Sequence, residues 1–100
     1  MQTVLHLDLI SQDPAVRGGR PCIAGTGLRV TDVVMAQLFH RRTPDEIATD
    51  YDISLAQVHA ALAYYFQNKT ELDEDIRRQI VTAQRFKEEQ VGVGDSLPPR

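Results

Sequence analysis

Two helix-start signals stand eleven residues apart in the stretch Thr43 to Phe66, TPDEIATDYDISLAQVHAALAYYF, and they constrain the chain more than anything else in it. In Thr43-Pro44-Asp45-Glu46 the Thr43 hydroxyl is placed to accept from the amide of Glu46 while the Glu46 carboxylate reaches back. Pro44 occupies a position where a missing N–H costs nothing. Ser54-Leu55-Ala56-Gln57 repeats that capping box. Between the two, Asp50-Tyr51-Asp52 offers side chains that compete for the backbone and end the first helix. The result is a short helix, a tight turn and a longer helix, the pattern of a helix-turn-helix. Ile47, Tyr51, Ile53, Val58 and Leu62 fall where the two helices bury side chains against each other, and Ala48 is small where they cross. The turn lacks the glycine common at such corners.

Upstream, Thr3 to Ile10 (TVLHLDLI) alternates weakly and is rich in branched apolar residues, so it reads as a strand with His6 a polar strand residue. Ser11 to Gly19 is a loop punctuated by Asp13-Pro14 and Gly18-Gly19. Pro21-Cys22-Ile23 and Leu28-Arg29-Val30 are short extended segments joined by Ala24-Gly25-Thr26-Gly27, which suits a hairpin. The Gly-x-Gly there is no nucleotide loop, because no Gly-Lys-Ser/Thr follows it and no strand-loop-helix spacing surrounds it. Thr31-Asp32 caps a helix running to about Arg42, with Val34, Met35, Leu38 and Phe39 on its apolar face. After the helix pair, Asn68-Lys69-Thr70 breaks the chain before a helix from Glu71 to Glu89. Leu72, Ile76, Ile80 and Ala83 keep helical spacing along it, while Val81 and Phe86 lie partly off the stripe. The whole reads as mainly α with short N-terminal β-strands, a homeodomain-like or winged helix-turn-helix. Residues 1–70 form the strand-hairpin and helix-turn-helix domain, 71–90 a C-terminal helix suited to a partner, and 91–100 a flexible tail rich in glycine and proline.

Charge separates the possible uses of such a unit. The net charge is −3, and Thr43 to Asn68 holds no Lys or Arg, whereas a DNA-reading helix draws much of its affinity from neutralising phosphates. The basic residues Arg17, Arg20, Arg29, Arg41 and Arg42 lie before it and are the candidate phosphate contacts. Arg41-Arg42 also complements a helix dipole, which is reason enough for a basic pair there. Gln57 is a candidate for reading an adenine edge, although its capping role already accounts for it. The outward side of the second helix, Ala56, Gln57, His59, Ala60 and Ala63, is flat and nearly uncharged, a surface on which another helix docks. Tyr64 and Phe66 beside it, with Leu72, Ile76, Ile80 and Phe86 beyond, are the candidate partner-binding residues. No nucleophile stands next to a base, and the carboxylates fall into ordinary helix charge pairs, so no catalytic site and no cofactor are expected. His40 and His59 read as surface residues. Cys22, the only cysteine, reads as a small buried apolar residue in a reducing cytoplasm. No apolar run approaches the roughly 18 residues of a membrane span.

Three blocks carry a resemblance: Arg17 to Thr26 (RGGRPCIAGT), Thr43 to Ile47 (TPDEI) and Leu55 to Tyr65 (LAQVHAALAYY). In this order and spacing the chain resembles the bacterial domain of unknown function 433, over about Asp13 to Asp75. The resemblance implies a homeodomain-like or winged helix-turn-helix preceded by short strands. It also implies an antitoxin-like, non-enzymatic homodimer of a type II toxin-antitoxin pair that neutralises a PIN-like toxin and binds its own operator DNA. The chain departs from the family's usual Gly-Thr-Arg at Gly25-Thr26-Gly27, losing one phosphate or carboxylate contact, and its Asp50-Tyr51-Asp52 lacks the proline often found there. A stand-alone transcription regulator, or an interaction and dimerisation module without DNA contact, would use the same helices.

Overall fold

The structure, a computed structural model, describes residues 2–5 and 7–95, with side chains through residue 89. Two compact units divide the chain, Met1–Lys69 and Thr70–Arg100. In the first, the alternation of Thr3 to Ile10 does not become a strand of that length. Strand β1 is only Ile10–Ser11, and Val4, Leu5 and Leu7 are exposed. A strand lasts as long as its partner does, and the partner, β2 (Cys22–Ile23), is two residues long. The register pairs Ile10 with Ile23 and Ser11 with Cys22 in antiparallel sense. Pairing ends where the Leu9 carbonyl accepts from Ala24, and the Leu9 N–H closes a tight turn on the Leu7 carbonyl at 2.9 Å. His6 lies outside the described residues.

The expected hairpin is present. Cys22 bridges Arg29, the Ile23 N–H donates to the Leu28 carbonyl at 2.9 Å, and the Val30 N–H donates to Pro21 at 2.9 Å. Thr26 closes the connection, its hydroxyl donating to the Ile23 carbonyl at 2.8 Å and accepting from the Leu28 N–H at 3.1 Å. Gly25 sits at φ +77°, a left-handed conformation that a Cβ disfavours.

Helix α1 spans Val30–His40 and is capped at Arg29, two residues earlier than Thr31. Asp32 stands at the third helical position, accepts the Arg29 N–H at 2.9 Å and holds the Arg29 guanidinium at 2.7 and 3.1 Å. Thr31 is buried. The helix ends at His40 because Arg41 turns left-handed, φ +53°, and the N–H groups of Arg41 and Arg42 both donate to the Ala36 carbonyl. Its buried face is Val30, Val33, Val34 and Ala36. Leu38 and Phe39 are instead 52% and 53% exposed. Apolar residues fill so much of this helix that two faces fit the 3.6-residue period, and the small, branched set wins by packing closely.

Helix α2 (Pro44–Tyr51) and helix α3 (Leu55–Gln67) form the helix pair, and both capping boxes close. Thr43 Oγ1 accepts from the Glu46 N–H at 3.2 Å and Glu46 Oε1 from the Thr43 N–H at 2.9 Å. The Ser54–Gln57 box has 3.1 and 2.7 Å. The Thr43 N–H, then its hydroxyl, then Arg42 hold the Glu46 carboxyl below its ordinary range. The stability this adds is present above the unfolded carboxyl's pKa and is lost as pH falls through the lower folded one. At the corner Asp52 adopts φ +54°, the conformation glycine otherwise supplies, and the Ile53 N–H returns to the Ala48 carbonyl at 3.0 Å. Ile47, Val58 and Leu62 are buried as the spacing requires, Ala61 and Tyr65 join them, and Ile53 is half-buried, but Tyr51 and Leu55 are 42% and 43% exposed. Both flank the turn. Thr43→Ala removes one half of the first box and is expected to lower stability by about 0.5–2 kcal/mol, read from urea denaturation.

Asn68 alone separates α3 from helix α4 (Lys69–Asp95), its N–H donating to the Tyr64 and Tyr65 carbonyls at 3.1 and 3.0 Å. In α4, Leu72 and Ile76 are buried, each 5% exposed, whereas every residue from Val81 to Glu89 is exposed. The flexible tail expected from Val91 is helical as far as Asp95, although Gly92 and Gly94 each cost a helix about 1 kcal/mol relative to alanine. Residues 96–100 lie outside the described residues. The chain is thus mostly helical with a short antiparallel pair near its N-terminus, and no hairpin follows α3 as a wing among the described residues. No helix among them is long and apolar enough to cross a membrane.

Candidate interaction surfaces

The six candidate nucleic-acid contacts are not gathered into one patch. Arg17, Arg20 and Arg29 lie toward the start of α1, and Arg17 and Arg29 both act electrostatically on Cys22. Arg41 and Arg42 lie past its end, about 17 Å away by helical rise. Within each group the guanidiniums differ in freedom. Arg29 is held by Asp32, its side chain 20% exposed. The Arg20 Nη1 donates to the Arg17 carbonyl at 3.4 Å. Arg17, at the head of a single 3-10 turn (Arg17–Gly19), is exposed and left-handed at φ +51°. Arg41 is exposed and left-handed as well. Neither Arg17 nor Arg41 carries an ion pair among the described residues. A non-glycine residue in that conformation costs about 1–2 kcal/mol, so both cations are presented at some expense to folding.

Arg42 is the most engaged of the five. Its Nε and Nη2 donate to both oxygens of Asp50 at 2.9 and 3.0 Å, and its Nη1 lies 3.0 Å from Glu46 Oε2. Glu46 stands four residues on, a spacing visible in the sequence. Asp50 stands eight on, and only the fold of the α1–α2 corner brings it back. Gln57 is half-buried with its Oε1 taken by the Ser54 N–H, which leaves the amide little freedom to read a base.

A cleft of about 360 Å³ opens beside the hairpin, lined by Ser11, Asp13, Val16, Cys22, Gly25, Thr26 and Gly27. Cys22 is 3% exposed and its thiol donates to the Arg20 carbonyl at 3.4 Å. Burial pushes the thiol's pKa up, against the pull of Arg17 and Arg29 and with help from Asp32. A thiol so protonated is a poor nucleophile. Among the described residues no three His, Cys, Asp or Glu side chains gather as a metal ion would require.

The apolar candidates divide by exposure. Leu72 and Ile76 are buried and present no surface, Tyr64 and Ile80 are half-buried, and Phe66 and Phe86 are 66% and 61% exposed. Phe66 leans on Tyr65 with ring centroids 5.2 Å apart, and Lys69 Nζ sits 5.7 Å from the Tyr65 centroid. The α1 pair Leu38 and Phe39 joins the exposed set. Sequence reasoning gave it to the core, and no signal in an apolar-rich helix distinguishes the two faces.

The chain belongs to the family described as Protein of unknown function (DUF433), whose model matches residues 10–65. All three sequence blocks fall inside that match, which covers the strands, α1, α2 and α3 as far as Tyr65 and stops short of α4. No curated protein and no solved structure matches the chain.

Proposed function

We propose that the chain is an antitoxin-like protein: it binds and silences a small PIN-like nuclease, performs no chemistry of its own, and works as a homodimer in a reducing cytoplasm. One observation carries the reading. Every residue of α4 from Val81 to Glu89 is exposed, with Val81 and Phe86 keeping 50% and 61% of their surface in water. Apolar surface costs about 25 cal/mol per Å² in water, a cost that a partner's apolar groove removes. α3, where a DNA reader places its recognition helix, has no Lys or Arg and exposes Ala56, His59, Ala63 and Phe66. That face suits a protein better than a phosphate backbone. Leu38 and Phe39 offer a further apolar pair for a second copy.

Promoter binding is a second reading, favoured by the exposed and unpaired Arg17 and Arg41. Co-expression with the adjacent gene product tests the first. The two proteins are expected to co-elute, and the nuclease's cleavage of RNA to stop when the chain is present. A neighbour that is not a small nuclease, or two proteins that elute apart, would sink the antitoxin role.

A further inference from the structure

We infer that Arg42 is a masked phosphate-binding residue. The Asp50 carboxylate occupies the place of a nucleic-acid phosphate on its guanidinium, and Arg42 joins Arg41 in a nucleic-acid surface at the α1–α2 corner only when Asp50 lets go. The geometry is the starting point. Nε and Nη2 meet the two oxygens of Asp50 at 2.9 and 3.0 Å, the two-pronged arrangement a guanidinium makes equally with carboxylate and phosphate. The clamp lies at the surface, its side chains 38% exposed for Arg42, 44% for Glu46 and 42% for Asp50. Ion pairs so wetted are weak and exchange readily, and a polyanion with a condensed counterion atmosphere competes for them well.

The guanidinium is not needed to end α1, because the Arg42 N–H already donates to the Ala36 carbonyl at 3.1 Å. Glu46 is anchored by the Thr43 cap through Oε1 while its Oε2 stays on Arg42 Nη1, so Asp50, which holds the two-pronged Nε and Nη2 edge, is the gate. Arg41, next in the chain, is exposed and unpaired among the described residues. Two adjacent guanidiniums on one corner match the repeated charge of a phosphodiester strand better than a single protein carboxylate. The fold therefore holds its nucleic-acid affinity down by an internal contact.

This inference rests on the second reading above, that nucleic acid is bound, and the experiment separates the two. The full chain is titrated onto a fluorescently labelled random duplex DNA at several low salt concentrations, with poly-glutamate as a parallel carboxylate probe. Asp50→Asn is expected to bind the duplex about fivefold more tightly than the native chain. Its salt dependence steepens by about 0.9 in log–log slope, the signature of one added phosphate contact. Arg42→Gln in the Asp50→Asn background returns affinity and slope to native values, and Arg41→Gln weakens both proteins. Asp50→Ser, at the same exposed position, gives the same gain. If the native chain binds and Arg41→Gln weakens it while both Asp50 variants leave affinity and slope unchanged, masking is wrong and nucleic-acid binding stands. A lower melting temperature without tighter binding makes the clamp purely structural and overturns the proposal. Equal gains on poly-glutamate overturn its nucleic-acid specificity, and an absence of duplex binding by every variant at the lowest salt overturns both.

Discussion

Ile47→Ala is expected to lower the unfolding free energy by about 2–5 kcal/mol. Ile47 is the only buried residue of the eight-residue α2, and none of its surface is exposed. Both capping boxes fix where α2 and α3 begin, but Ile47 is the residue of α2 that lies fully in the core, to which α3 contributes Val58 and Ala61. Removing its three outer carbons loses their transfer energy and leaves a cavity that the two short helices, pinned at their starts, cannot collapse to fill. Domains of this size are stable by about 5–15 kcal/mol, so the variant sits near the edge of folding. Its melting midpoint falls by roughly 10 °C or more. Far-UV circular dichroism during heating reads this directly. Leu38→Ala, which removes as many carbons from a residue 52% exposed, is expected to change stability by less than about 0.5 kcal/mol. Equal losses in the two variants would mean that the core is elsewhere.

That contrast also marks what the sequence could reveal. The boxes at Thr43 and Ser54 were legible because each is local: four residues contain both donors and both acceptors, with Pro44 adding to the first. Ile47, Val58 and Leu62 were legible for a similar reason, since the caps set the phase of both helices. α1 has no such anchor. Its capping residue is Arg29, whose partner Asp32 is easily mistaken for the cap itself, and without the phase Leu38 and Phe39 look as buried as Val33. The segment Thr3 to Ile10 has the composition of a strand, but a strand exists only against another, and β2 is too short to hold more than Ile10 and Ser11. In the candidate surfaces the arginines were identified by charge alone. Arg29 is spent on Asp32 three residues on, but that Arg42 is spent on Asp50 depends on the α1–α2 corner, which returns Asp50 to it across eight residues. Asp52 is the related case: a turn without glycine reads as irregular, yet an aspartate can take the left-handed conformation at modest cost.

Phe86→Asp is expected to weaken binding of the nuclease proposed as partner by about thirtyfold or more, the loss that follows when an aromatic anchor is removed from an interface centre. The structure of the free chain should barely respond. Phe86 is 61% exposed, and the residues from Val81 to Glu89 are all in water, so the helix loses no packing there. A charge replacing it adds only the small helix-propensity difference between phenylalanine and aspartate. Stability and binding are therefore expected to part company: an unchanged melting midpoint and a greatly weakened complex, measured by titration calorimetry with the purified nuclease. Leu72→Asp inverts the pattern. Leu72 is 5% exposed, and an unpaired carboxylate buried in its place destabilises the fold, so any loss of binding there follows from lost structure. If Phe86→Asp binds as tightly as the native chain, the exposed end of α4 is not the contact, and the same measurement on Phe39→Asp decides whether α1 is.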